Sequence, residues 1–123
     1  MIHLDAHIAV WALASRGRLS SAARRLLGQE TCQVSPIVLL EIETLFELRR
    51  VVSDGAETLG RLGQQIGLTM CETPFSQVIG TARTFAWTRD PFDRLIVANA
   101  MAERAQLLTA DATILANFKD AVW

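Results

Sequence analysis

The stretch DPFDRLIVANAMAERAQLLTAD, residues 90–111, reads as a helix that feeds a strand ending at an acid. Asp90 and Pro91 are a capping carboxylate and a proline at the first helical position, and Ile96, Val97 and Ala100 follow at helical spacing, so the helix runs to about Arg104. Residues 106–109 then form a strand that stops just before Asp111. A strand that ends at an acid also opens the chain. Residues 2–4 are a short apolar strand ending at Asp5, and residues 7–14 read as helix. Ser20 and Ser21 cap a second helix over residues 22–27, closed by Gly28. Residues 33–35 are a brief second strand, and Ser35-Pro36 opens a helix that extends to about Arg50. Ser53 or Asp54 caps a weaker helix, diluted by Gly55, Gly60 and Gly63, that ends near Gly67. Residues 68–70 supply a third strand, and residues 76–87 another helix. Strands separated by stretches too long for hairpins need crossovers, so the class is α/β, with a central parallel sheet flanked by helices. In such sheets ligands bind outside the carboxyl ends of the strands, which is where Asp5 and Asp111 fall.

A chain of 123 residues, 50% hydrophobic, is expected to form a single domain over residues 1–123 around one core. No apolar run approaches the roughly 20 residues that span a bilayer, and the N-terminus carries no leader pattern, so a cytoplasmic protein with no membrane contact is expected. The net charge of −1 excludes a binder driven by a large cationic excess. Any nucleic-acid contact must be local, through basic rims drawn from Arg24, Arg25, Arg49, Arg50, Arg83 and Arg89. Cys32 and Cys71 stand far apart, outside any zinc spacing, and read as buried thiols.

The helix after Pro36 has an apolar stripe of Val38, Ile42 and Leu45, and Glu41 falls inside it. Glu43 and Glu47, four apart with Arg50 beyond, read as a solvated face. Glu41 is either a half-exposed acid favoured by the helix dipole or a buried carboxylate that needs a proton, a cation or a metal. Asp93 stands at the edge of the buried face of its helix. It either joins Asp90 in satisfying the first amides or points to the sheet rim. Taken together, Asp5, Glu41, Asp93 and Asp111 form an all-carboxylate set. Such a set repels itself unless a hard cation neutralises it, so Mg²⁺ or Mn²⁺ is expected and zinc is not. Phosphodiester hydrolysis is the natural reaction class, since no nucleophilic Ser, Cys or His arrangement is visible.

The opening Ile2-His3-Leu4-Asp5-Ala6-His7, the Ser35-Pro36 helix with Glu41, the run from Arg89 to Ala100, and Leu107-Leu108-Thr109-Ala110-Asp111 together resemble a PIN-domain protein of the VapC toxin type. The resemblance implies a PIN fold and a Mg²⁺- or Mn²⁺-dependent endoribonuclease. It also implies toxicity held in check by a VapB-type antitoxin, and a homodimer. The family's acids fall on Asp5, Glu41, Asp93 and Asp111. Thr109 matches a hydroxyl residue that holds a metal-bound water. Asp90 is expected chiefly as a helix cap. Arg94 is either a phosphate contact or an exposed, salt-bridged side chain, and His7 either a general base or a partner-facing histidine. The chain departs from many relatives at Ala6, where a threonine hydroxyl would orient Asp5. An aspartyl phosphatase would want an acid where His7 stands, and a receiver domain a lysine near its last strands, whereas the one lysine is Lys119. The remaining alternative is a catalytically silent PIN-like scaffold that binds a partner through the same groove. An antitoxin would dock in an apolar groove bordered by such residues as Trp11, Leu13, Phe46, Leu48, Val51 and Val52, consistent with a mean hydropathy of +0.25.

Overall fold

Five short strands, all parallel, form the centre of the computed structural model, which describes residues Met1–Trp123, in the spatial order β3-β2-β1-β4-β5. Along the chain they are β1 (Ile2–Leu4), β2 (Cys32–Val34), β3 (Thr69–Met70), β4 (Gln106–Leu108) and β5 (Ala121–Val122). Seven helices connect and cover them: α1 (Ala6–Ala14), α2 (Ser21–Gln29), α3 (Pro36–Glu47), α4 (Gly55–Ile66), α5 (Phe75–Ala82), α6 (Pro91–Ala102) and α7 (Ala112–Asn117), with a 3₁₀ turn at Arg16–Arg18. The α/β class with a central parallel sheet is as expected.

β1 is the middle strand, and its three residues are buried on both faces, as parallel strands between helical layers must be. It pairs Ile2 with Cys32 on one side and with Gln106 on the other. Ile2, Leu4, Leu107 and Leu108 have no exposed surface and form the core with Ile8, Ile42, Leu62, Ile96 and Ile114. Helices α1, α3 and α4 pack on one another, and α5 packs on α6, which also meets α3.

Several boundaries differ from the sequence expectation. Gly28 lies inside α2, which runs on to Gln29 and is followed by an extended Glu30, so no left-handed glycine ends it. The second strand starts at Cys32 and excludes Ser35, the residue that precedes α3 as its cap position. α3 stops at Glu47 because Arg49 turns into the left-handed region at φ 58° and its amide bonds to Phe46 O. α5 ends at Ala82, five residues short of Trp87, and the third strand is only two residues long. α7 and β5 have no counterpart in the sequence expectation. Asp111 caps α7, its side chain accepting the Ile114 amide, and β5 pairs Ala121 and Val122 with Leu107 and Leu108.

α4 seats tightly on α3 because its first residue is glycine. A Cβ at Gly55 would lie 2.5 Å from Leu39 O, and the Gly55 amide instead donates to Glu43 Oε2 at 3.0 Å. Glu43 is therefore not merely part of a solvated face: it anchors the amino end of the neighbouring helix.

Candidate active site

The fold starts helices where strands end, so amino-terminal turns gather at the carboxyl rim of the sheet. Asp5 follows β1 and precedes α1, Asp111 follows β4 and precedes α7, and Asp90 precedes α6. All three carboxylates accept backbone amides of the helix they open: Asp5 Oδ1 from Ala6 at 2.8 Å, Asp111 Oδ1 from Ile114 at 2.9 Å and Asp90 Oδ1 from Asp93 at 3.1 Å. Each keeps oxygen lone pairs for a further partner.

Asp5 is held hardest. It is 5% exposed, its own amide donates to Leu108 O at 3.0 Å, and the Thr109 hydroxyl donates to its Oδ2 at 2.6 Å. The same Thr109 oxygen accepts the Asp111 amide at 3.0 Å. One buried hydroxyl thus ties the end of β1 to the end of β4. This revises two expectations. The hydroxyl proton of Thr109 is directed at Asp5, and the orientation that Ala6 cannot give Asp5 through a side chain is supplied by Thr109 and by the Ala6 amide.

Glu41 and Asp93 reach the same rim from α3 and α6. Glu41 Oε2 is buried without a hydrogen-bond partner. Burial, reinforced by the charges of Asp5, Asp93 and Asp90, pushes its carboxyl from an ordinary 4.5 up to about 8. Asp93, half-buried on α6, is pushed from 3.8 to about 6, first by burial and then by Asp5, Asp90 and Asp111. Burial also raises Asp5, against the lowering by its bonds from Thr109 and Ala6 and by the nearby His7, while Asp111 adds to the rise. The four predicted acids therefore share one electrostatic neighbourhood. Asp90 belongs to it as well: an exposed cap whose charge bears on both Glu41 and Asp93, signalled in sequence by its three-residue spacing from Asp93.

No three of these side chains converge on a single point at ligand distances, and mutual repulsion among carboxylates favours such spreading. The donor chemistry nevertheless fits a hard divalent cation. Every donor is a carboxylate oxygen, one of them is buried and unpartnered, and burial with mutual repulsion raises the pKa of Glu41 to about 8 and of Asp93 to about 6, a cost that a cation would relieve. None of the four lines the five principal cavities, the largest of which, about 700 Å³, is bounded by Phe85, Trp87, Met101, Arg104 and Phe118.

Arg94 is half-buried and unpaired with any acid, contrary to an exposed ion pair. Its Nε donates to Ala82 O at 3.0 Å and its Nη2 to Phe85 O at 2.8 Å, which pins the end of α5 and the following loop to α6. His7 is exposed beside Trp11, ring centroids 6.0 Å apart. His7, Trp11, Arg18, Leu45 and Val51 line a groove of about 400 Å³.

A family model described as PIN domain matches residues 2–119. No curated protein matches the chain. Nine chains of solved structures do. Among them, one from the crystal structure of VapBC2 from Rickettsia felis bound to a DNA fragment from their promoter aligns with a TM-score of 0.64. That alignment covers 94% of this chain and 92% of that one, at 21% identity, a likeness of fold.

Proposed function

Because the chain belongs to the PIN-domain family, we propose that it is a Mg²⁺- or Mn²⁺-dependent endoribonuclease and the toxin of a toxin–antitoxin pair. The observation that carries this reading is the self-repelling set of Asp5, Glu41, Asp93 and Asp111 on the carboxyl rim, with the Glu41 carboxyl pushed up to about 8 by burial and then by its acidic neighbours. These four residues would hold the cation. When bound, it supplies charge neutralisation at the scissile phosphate and a lowered pKa for water.

The chain's own groups do the rest. The bonds from Thr109 and the Ala6 amide fix Asp5 in one orientation, so one donor oxygen pair is preorganised. Asp93, pushed up to about 6, is an ionised carboxylate able to take a proton from an attacking water near neutral pH, whereas Glu41, pushed up to about 8, must first give up its own. Neither cysteine is a rival nucleophile, since both are buried. Attack by water in line leaves a 3′-hydroxyl and a 5′-phosphate and needs no 2′-hydroxyl. Acids placed outside the principal cavities suit a polymer that lies across the rim.

The partners of this reading are an RNA substrate, a second copy of the chain and a VapB-type antitoxin. The groove beside His7 and Trp11, with Leu48 and Val52 exposed nearby, supports antitoxin docking next to Asp5. The VapBC2 structure pairs such a fold with an antitoxin, which supports the same assignment. A cytoplasmic location follows from this role, and no helix is long and apolar enough to cross a membrane.

The test is cleavage of RNA by the purified chain with Mn²⁺, followed by end-group analysis. Expected are loss of cleavage in EDTA and 5′-phosphate products. Cleavage that persists in EDTA, or products with 2′,3′-cyclic phosphates, would overturn the reading, and metal-dependent stabilisation without turnover would favour a silent scaffold.

A further inference from the structure

Arg83, Arg89 and Arg94 line one surface cavity of about 350 Å³ at the start of α6, with Ile79, Pro91 and Leu95 among its apolar walls. They come from the end of α5, the loop after it and the first turns of α6. No acid lines the cavity. None of the three guanidiniums is in an ion pair, the one such pair in the structure joining the N-terminal ammonium to Glu30. Three cations gathered with no carboxylate among them, in a chain of net charge −1, form a local centre of positive potential.

Their placement gives that potential a direction. Arg89 immediately precedes Asp90 and Arg94 immediately follows Asp93, so the cations flank the two acids of α6. A polyanion approaching the acidic rim meets repulsion there and needs compensating charge close by. Arg94 is immobilised by its bonds to Ala82 O and Phe85 O, which leave Nη1, whereas Arg83 and Arg89 are exposed. One fixed guanidinium and two exposed ones can enclose a phosphate, for which the planar fork of donors is well shaped.

We propose that this cavity is a phosphate subsite that grips the RNA backbone next to the bond being cut, an assignment that rests on the ribonuclease reading above. The apolar wall of Ile79, Pro91 and Leu95 then lies against the sugar or base of that nucleotide. RNA is favoured over an acidic peptide because Arg89, Pro91 and Arg94 stand at the same start of α6 as Asp90 and Asp93, two acids of the rim where the phosphodiester would be cut.

The experiment measures binding of a labelled single-stranded RNA to the full chain in EDTA across a series of salt concentrations, for the wild type, Arg83→Gln/Arg89→Gln and Arg83→Lys/Arg89→Lys. Thermal stabilisation by Mn²⁺ is recorded for each. Expected for the glutamine variant is an affinity about tenfold lower, with a slope of log affinity against log salt shallower by about 0.7 for each phosphate no longer neutralised. Its Mn²⁺ stabilisation should be unchanged, and the lysine variant should keep most of the slope. Equal affinity and slope in the wild type and the glutamine variant would overturn the subsite and leave the nuclease reading standing. A labelled acidic peptide is titrated in parallel, and its binding lost in the glutamine variant while RNA binding stays intact would overturn the subsite as well. A wild type that neither binds RNA nor is stabilised by Mn²⁺ would overturn both.

Discussion

At the scale of single residues, the site trades stability for charge. Glu41 holds a buried, unpartnered Oε2 and a carboxyl pushed to about 8 by burial and three acids. Glu41→Gln removes the ionisable group and keeps its shape, so the metal-free protein is expected to melt about 3–6 °C higher at pH 8. The same variant should lose the stabilisation by Mn²⁺, which differential scanning fluorimetry with and without the ion reads directly. Asp93 and Asp90 separate ligation from capping. Asparagine still caps a helix, so Asp90→Asn loses only a charge and should cost less than about tenfold in RNA cleavage. Asp93→Asn removes a donor oxygen and should cost more than about a hundredfold. Equal losses in single-turnover assays would show that Asp90 is a ligand in its own right.

At the scale of elements, each boundary is set by a few identifiable atoms. α4 lies on α3 because Gly55 lacks a side chain and Glu43 receives its amide. Gly55→Ala should therefore cost about 1–3 kcal/mol in urea unfolding, while Mn²⁺ still stabilises the variant. An unchanged midpoint would mean that α3 and α4 can part without loss. The helices with strong caps and apolar periodicity were legible in the sequence: Pro36 and Asp90-Pro91 mark α3 and α6 at their observed starts. What escaped was short or set by tertiary contact. β5 is two residues, too brief for any pattern, and exists because β4 offers it an edge. α7 hid behind Asp111, which reads as a strand-end acid although the same carboxylate caps a helix. The placement of the four acids was legible, Asp5 and Asp111 at strand ends and Glu41 and Asp93 on helices that border the core. The bond from Thr109 to Asp5 was not, since residues 104 apart meet only through the pairing of β1 with β4. The role of Arg94 was equally hidden, because its partners are backbone carbonyls, and carbonyls leave no trace in a sequence.

At the scale of the whole molecule, the acids make stability depend on pH in a definite sense. Glu41 binds its proton more tightly folded, at about 8, than unfolded, at 4.5. Its contribution is complete below the unfolded value and is lost as pH rises through the folded one. His3, buried in β1 with both ring nitrogens unpartnered, works the other way. Burial lowers its pKa below 6.5, so its contribution is present above 6.5 and lost as pH falls below it. Between pH 6.5 and 8.5 the carboxyl dominates, and the melting temperature in EDTA should fall as pH rises. The increment produced by Mn²⁺ should grow over the same interval, because the ion displaces the proton that the apo protein retains. A melting temperature in EDTA that rises with pH would contradict the burial of Glu41. The capping role of the acids has a consequence for descent. Asp5 and Asp111 each open a helix with the same carboxylate that the proposed site needs, so a lineage that abandoned catalysis but kept its partner could not discard them freely. Alanine would unravel a helix end, whereas asparagine or serine would not. The mark of a retired relative would then be a rim that has lost its charges one atom at a time, with the outline of every acid still in place.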